Sequence, residues 1–469
     1  MIVDELIKLQ QTKAAIKQAL IDKGQNPTDE FASYADVISG ISGGSNPPSD
    51  ILNMLGYNST NAPDLYNALL SSLNKEEGAT YTNDTSVLLP KLTLDENGIY
   101  PLSFEMFRNS TILTVPKGKY RHRGLGYLSM FQGCTSLMWI PDLELFEYDS
   151  NTYSCSHMFQ GCTSLRTVGN LKMEACESAY HMFEGCSNLE SIASLDTGNV
   201  TTMGNMFNGC KKLKSIPQLD TSKVTDMGGM FDGCTNLKSI PQLDTGNVTI
   251  MGGMFSDCSA LESLPQLDTS KVTSMGFIFR NCTNLNSIPQ WDFRAATDLN
   301  YGFSGCSLLT EIPDLNLDSV TNVSSLFEGD RALVTIGVLN TPKVTNITCM
   351  LQNCPSIEKI TSLDVRAVTN NSYIIGFSGT IKPLKYMLLK NLGQSSATSW
   401  GLGSFPNWGV NDDKYPDARQ SLIDTLITYS YDRVSAGMST CTIKLNSNVK
   451  ALLTEDEIAQ ITAKGFTIS

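Results

Sequence analysis

Cysteine recurs at a fixed interval through the middle of this chain, and that interval decides what it can fold into. Cys162, Cys186, Cys210, Cys234, Cys258, Cys282 and Cys306 are each 24 residues apart. Asp330 stands at the next position, Cys354 restores the series, and Cys134 precedes it with a spacing of 28. The repeat is clearest from Met230 to Thr249, where Met-Phe-x-x-Cys leads to Leu237, Ile240-Pro241-Gln242-Leu243, Asp244-Thr245 and Val248-Thr249. A fixed period in the twenties marks a solenoid, in which each repeat buries its apolar face only against its neighbours. A core that grows as a line also frees the 469 residues from the size limit of an ordinary globular core.

Two patterns alternate inside each repeat. Met251, Met254, Phe255 and Cys258 have the spacing of one or two helical turns, and Leu261, Leu264 and Leu267 then follow in straight steps that suit a short strand. Pro217, Pro241, Pro265, Pro289 and Pro313 share one phase and cannot donate to a ladder, so each strand must be short. The paired glycines Gly228-Gly229 and Gly252-Gly253 suggest tight stacking, since glycine disfavours an isolated helix. Asp220-Thr221, Asp244-Thr245 and Asp268-Thr269 are placed to cap the following turn. A calcium ladder on those aspartates is opposed by Lys223 and Lys271. Stacked equivalents lie about 4.8 Å apart with parallel side chains, so the cysteines read as small buried hydrophobes, reduced and unbridged. Asp330 reads as a substitution tolerated at a fraying solenoid end.

Composition narrows the function. The formal net charge of −13 argues against nucleic acid, which requires clustered Lys and Arg. No run approaches the length of a membrane span, and the N-terminus lacks the pattern of a secretory signal peptide, so neither membrane insertion nor general secretion is expected. No Cys-x-x-Cys or Cys/His cluster points to a metal, and no cofactor motif is present. The three histidines, His122, His157 and His181, belong to no nucleophile or metal signature, and His157 and His181 share a repeat phase. No enzyme is expected: distributed, repeated surface suits binding, whereas an active site is one constellation.

Around the repeat the chain divides into four. Residues 1–43 read as a helical attachment module, with an apolar stripe from Leu6 to Leu20 and a shorter helix from Phe31 to Ile38. Residues 44–102 are a Gly/Pro/Ser linker and helical lead-in, and residues 103–380 are the solenoid, about ten coils rising about 4.8 Å each. Residues 381–469 form a cap: helices at 383–392 and 418–426, a strand at 441–445, a helix from Thr454 and a closing strand at 466–468. An open solenoid end requires such a polar-faced closing unit.

The stretch 219–237, Leu-Asp-Thr-Ser-Lys-Val-Thr-Asp-Met-Gly-Gly-Met-Phe-Asp-Gly-Cys-Thr-Asn-Leu, resembles the BspA-like leucine-rich repeat of bacterial surface proteins. It differs in being a residue or two shorter and in degenerating after Phe303. The resemblance implies an α/β solenoid of leucine-rich-repeat-like, right-handed coils, and members of that family are adhesins and surface-interaction proteins. Related repeats occur in phage structural genes, and residues 12–41 resemble a module at the start of phage tail and fibre proteins. The expectation is therefore a virion protein, a tail- or head-fibre-like appendage assembled in the host cytoplasm. It would join other virion proteins through residues 1–43, form a homo-oligomer such as a trimer, and bind a host-surface glycan or protein. The alternative is a bacterial cell-surface adhesin. Candidate contact residues are the polar columns Gln218, Gln242, Gln266 and Gln290, and Ser215, Ser239, Ser263 and Ser287. An aromatic loop carrying Trp400, Phe405 and Trp408 competes with them, either as a sugar-stacking tip or as a plug for the last coil.

Overall fold

The computed structural model describes residues 95, 97–102, 106–112, 114–115, 117–122, 127–147, 153–174, 176–288, 290–371, 384–402 and 408–469. The expected module at 1–43, and residues 44–94 of the lead-in expected at 44–102, lie outside these. Two compact units are present, Met1–Cys176 with Gly185–Asp196, and Glu177–Glu184 with Thr197–Ser469.

In the first unit a parallel sheet is built from one strand segment per coil. Ile99–Leu102 pairs with Gly118–His122, which pairs with Leu143–Glu147, then Thr167–Lys172, then Ser191–Leu195. The second unit continues the same logic in a thinner form. Parallel bridges link Ser178, Thr202, Asp226, Ile250, Ser274, Asp298, Asn322, Asn346 and Asn370, each to the residue 24 positions on. The repeat therefore persists past Phe303 at the backbone level, although its side chains drift. This is a parallel β-solenoid of 24-residue coils with little helix.

The segment spaced like a helix is a turn, and its hydrogen bonds show why. In the coil at 227–237, Met230, Asp232 and Cys234 donate to the carbonyls three residues back. Met227, Gly229, Phe231 and Gly233 donate instead to Ile250, Gly252, Met254 and Ser256 of the next coil. An α-helix would require every N–H for bonds within the coil; stacking takes every second one. The alternation bends the backbone into the left-handed region twice per coil, at Gly229 (φ +61°) and Gly233 (φ +71°). There glycine is at its least costly. An added methyl on Gly233 would lie 3.6 Å from the Gly209 Cα, an ordinary contact, so it is the φ that calls for glycine here.

Side chains repeat with the backbone. Phe183, Phe207, Phe231, Phe255, Phe279, Phe303 and Phe327 stack along the second unit with ring centroids 5.6–5.8 Å apart. All thirteen cysteines are free thiols, and every one but Cys349 is buried. The ladder thiols also bond: Cys234 Sγ donates to the Phe207 carbonyl at 3.1 Å and Cys258 Sγ to that of Phe231 at 3.0 Å. Asp330 corrects the idea of a fraying end, because it is 0% exposed. Its Oδ1 accepts from the Cys306 N–H at 2.8 Å. On the outside, Thr225, Thr249 and Thr273 each direct both N–H and Oγ1 to the threonine carbonyl one coil back.

In the C-terminal cap, the expected strands appear at Cys441–Leu445 and Phe466–Ile468, and a helix at Glu455–Ala463 carries a Thr454–Glu457 capping box. The α-helix Ala418–Ile423 passes into a π-helical turn at Asp424–Thr428. One cap element differs: part of 383–392 is not helical but a strand, Tyr386–Lys390, paired in parallel with Lys359–Asp364. Its alternating burial makes it one more rung of the ladder, which overrides the local helical pattern.

Candidate functional site: an acceptor-lined trough

The strand phase and the Asp-Thr turn that follows it leave a trough of about 810 Å³ across three coils of the second unit. Gln218, Gln242 and Gln266 form one wall, Asp220, Asp244 and Asp268 the other, with Thr221, Ser222 and Thr245 beside them. The buried Leu219, Leu243 and Leu267 anchor the floor, at 1–2% exposure.

Each wall is held by a specific bond. Gln218 Nε2 donates to the Gln242 carbonyl at 2.8 Å, and Gln242 Nε2 to that of Gln266 at 2.9 Å. Gln266 Nε2 continues the pattern to Gln290 at 2.6 Å. The prolines of this phase lack an N–H, and the glutamine amides supply inter-coil donors in its place. The amide nitrogens are thus committed to the scaffold, and the amide oxygens remain for a ligand. Opposite them, the aspartates cap their turns as the sequence suggested. Asp220, Asp244 and Asp268 Oδ1 accept from the N–H groups of Ser222, Gly246 and Ser270 at 3.0–3.1 Å. The Ser222 backbone N–H and hydroxyl hold the Asp220 carboxyl below its usual range, and the Ser270 hydroxyl and N–H do the same for Asp268. Both are charged at neutral pH. The nearby cations are turned aside, Lys223 to Asn199 at 2.6 Å and Lys271 to Asn247 at 3.2 Å.

The trough therefore presents acceptors: amide oxygens on one side and carboxylates on the other. It suits an extended chain that carries donors. Among the described residues, no group of three or more His, Cys, Asp or Glu is arranged to hold a metal ion, and no helix is long and apolar enough to cross a membrane.

The other candidates are placed differently. Ser215, Ser239, Ser263 and Ser287 are exposed but do not line the trough, and Gln290 lies just beyond its lining. Trp400 and Trp408 are both 0% exposed, so neither ring offers a face to a sugar, and the stacking-tip expectation for them is corrected. Trp408 Nε1 donates to the Met387 carbonyl at 3.1 Å and packs the cap onto the last ladder strand. Phe405 lies outside the described residues. His157 and His181 sit at left-handed turn positions (φ +58° and +56°), each bonded to the residue three places on, Gln160 and Glu184. The aspartate wall was visible in sequence as turn caps, but its role as a second wall was not, because caps and trough share the same carboxylates.

A family model described as "Mycoplasma protein of unknown function, DUF285" matches residues 153–262, 177–287, 212–311 and 286–382 in overlapping copies. Comparison with curated proteins finds no match. Among solved structures, a leucine-rich repeat protein from Bacteroides ovatus aligns over 76% of this chain and 88% of its own, at 15% identity and TM-score 0.38. A leucine-rich cell surface protein from Faecalibacterium prausnitzii aligns over 65% and 96%, at 18% identity and TM-score 0.32. An internalin from Listeria monocytogenes aligns over 72% and 82%, at 12% identity and TM-score 0.24.

Proposed function

We propose that this chain is a non-enzymatic attachment protein of adhesin type, displayed at a bacterial cell surface, whose solenoid binds an extended donor-rich chain along the trough. The observation that carries the reading is the threefold repetition of one acceptor set at a constant coil spacing. A ligand with regularly placed donors meets the same contacts three times, so weak bonds add along the trough. The charged aspartates favour a basic partner, and a lysine-containing peptide strand of a host protein fits that charge. The resemblance of residues 219–237 to repeats of surface-interaction proteins supports display on a cell. The virion reading draws on residues 1–43 and becomes the competing outcome of the test.

Two measurements decide it. The full chain is titrated with an extended lysine-rich decapeptide and with its glutamine analogue. Replacement of Asp220, Asp244 and Asp268 together by Asn should weaken lysine-peptide binding about ten-fold or more while leaving the melting temperature near its original value. Absence of binding, or binding indifferent to the triple change, overturns the trough as the site. For display, protease treatment of intact producing cells should remove the protein. Its recovery in purified phage particles instead would establish the virion reading.

A further inference from the structure

We propose a second binding site, a one-ring slot at Gly253 on the turn of the second unit, whose ligand is a neutral pyranose ring stacked on Phe277. No residue of this slot lines the trough.

The slot lies in the column of left-handed turn positions. Successive coils place Asn205, Gly229, Gly253, Phe277, Tyr301, Ser325 and Cys349 there, with φ between +53° and +64°. Glycine and asparagine are ordinary occupants of such a conformation, whereas a bulky aromatic residue is an outlier. Two in succession carry strain that burial does not repay, because Phe277 remains 37% exposed. Strained backbone that the surrounding fold imposes is a recurrent feature of ligand sites.

The geometry around the pair is specific. The Phe277 and Tyr301 rings are parallel, at 5.1 Å between centroids and 6° between planes. One face of Phe277 is therefore covered by Tyr301, and the other, overhung by the Arg280 guanidinium, looks along the column toward Gly253. A Cβ on Gly253 would meet nothing nearer than the Ser256 Cβ at 4.0 Å, so that row is open. The row beyond is closed, because the Asn205 amide leans over Gly229 where any side chain would collide with it. The Gly253 row, one coil spacing of about 4.8 Å, carries no side chain of its own between that aromatic face and the amide. That is the thickness of one ring, and Tyr301 shows how a ring in an adjacent row packs on Phe277.

The rim distinguishes a sugar from an aromatic side chain. The Arg280 guanidinium lies over the Phe277 ring, 6.0 Å from its centroid, and reaches back toward Asp257, Nη1 to Oδ2 3.8 Å, so an entering ring meets this charged group at the slot's mouth. At that separation the pair is not closed into a tight ion pair, and the guanidinium offers donors beside a carboxylate that already accepts from Ser256 Oγ at 3.0 Å and Asn281 Nδ2 at 2.8 Å. The Asn205 amide adds a polar group on the far side. Aliphatic C–H groups on the aromatic face, with hydroxyls directed to a charged donor and acceptor, are the needs of a pyranose.

The test uses the full-length protein and four neutral probes: cellohexaose, maltohexaose, chitohexaose and mannohexaose, titrated by calorimetry. At least one should bind. Phe277→Ala and, separately, Gly253→Phe should each lower its affinity about ten-fold or more. The second variant fills the slot with a side chain already accommodated one coil away, so it separates blocking from unfolding, and a cooperative melt verifies its fold. The triple Asp→Asn trough variant should bind the sugar as the unmodified chain does, which keeps this site apart from the trough. The proposal is overturned if no hexaose binds, or if binding survives both slot variants. It is also overturned if N-acetyltyrosine amide binds in place of the sugars and is lost in both variants, because the slot then takes aromatic side chains.

Discussion

A carboxyl stands at position 330 where the flanking coils place the thiols of Cys306 and Cys354. Cys306 Sγ donates to Phe279 and Cys354 Sγ to Phe327, each to the carbonyl of the phenylalanine 27 residues earlier. The Asp330 carboxyl accepts from the Cys306 N–H at Oδ1, and its buried Oδ2 has no partner. Burial raises its pKa well above the ordinary carboxylate value, against the lowering effect of the Cys306 N–H. The native state therefore holds a proton that the unfolded chain releases near pH 4. The sign follows: this group's contribution to stability is greatest below about pH 4, falls as pH rises toward its folded pKa, and is flat above it. Asp330→Cys should remove that fall and stabilise the protein at pH 8 by about 1–3 kcal/mol. Urea midpoints of both proteins at pH 4.5 and pH 8 measure the difference, and equal pH slopes would count against a neutral buried Asp330. The converse change, Cys234→Asp in an equally buried coil, should cost about 3 kcal/mol at pH 8. The cysteine column was legible in sequence from its period alone. That Asp330 is as buried as its neighbours was not, because substitution in a repeat looks the same whether a position tolerates polarity or confines it.

At the scale of elements, one residue per coil decides whether a strand forms. Where the phase of Pro241 holds a residue with an N–H, the strand is continuous: Gly169 in Thr167–Lys172, Ala193 in Ser191–Leu195, Gly337 in Thr335–Asn340 and Thr361 in Lys359–Asp364. Where it holds proline, the strand splits, as at Pro141 and Pro313, or is absent, as at Pro217, Pro241 and Pro265. The two glycines in this set each follow a proline coil. A Cβ on Gly337 would lie 2.8 Å from the Asp314 nitrogen and the Pro313 carbonyl carbon, and one on Gly169 would meet Asp142 and Pro141 at the same distance. Ala193 and Thr361 follow coils without proline and keep their side chains. Gly337→Ala should therefore cost about 1–3 kcal/mol by overpacking against rigid backbone, whereas Thr361→Ala should cost less than half of that. Thermal melts of the two variants measure this, and a Gly337→Ala protein that melts with the unmodified chain would show that the coils can separate. Short, proline-limited strands were legible because proline's missing N–H is a local fact. The turn at 251–258 was not, because Met251, Met254, Phe255 and Cys258 satisfy a helical period equally well. Only the next coil, which takes every second N–H, breaks the tie. Phe277 and Tyr301 escaped notice for a related reason: their left-handed φ belongs to the stack and leaves no trace in composition.

At the scale of the whole molecule, a solenoid conducts stability only between neighbours, so a defect should stay where it is made. The C-terminal cap gives the sharpest case within the second unit. Arg433 is 1% exposed, and its bonded partners in the cap are carbonyls: Gly393 at 2.5 Å and Ser395 at 3.0 Å through Nη1, and Ser439 at 2.8 Å through Nε. Lys464 adds a second tie, from Nζ to the Ile427 and Ser430 carbonyls at 2.5 and 3.1 Å. Arg433→Met fills the same space but leaves the buried Gly393 and Ser395 carbonyls unpaired, a loss of about 2–4 kcal/mol. Hydrogen exchange should then show the strands Cys441–Leu445 and Phe466–Ile468 opening readily, while the amides of Thr225 and Thr249 keep their protection. A loss spread evenly over cap and coils would mean that this unit unfolds as one body and that the nearest-neighbour picture fails. If the loss stays local, the strand Tyr386–Lys390, against which Trp408 and Thr425 now pack, becomes an uncovered edge with free backbone groups. Such an edge pairs with other chains. The variant should accordingly associate with itself as protein concentration rises, at temperatures where the central coils remain folded, and light scattering followed alongside the exchange measurement would register it.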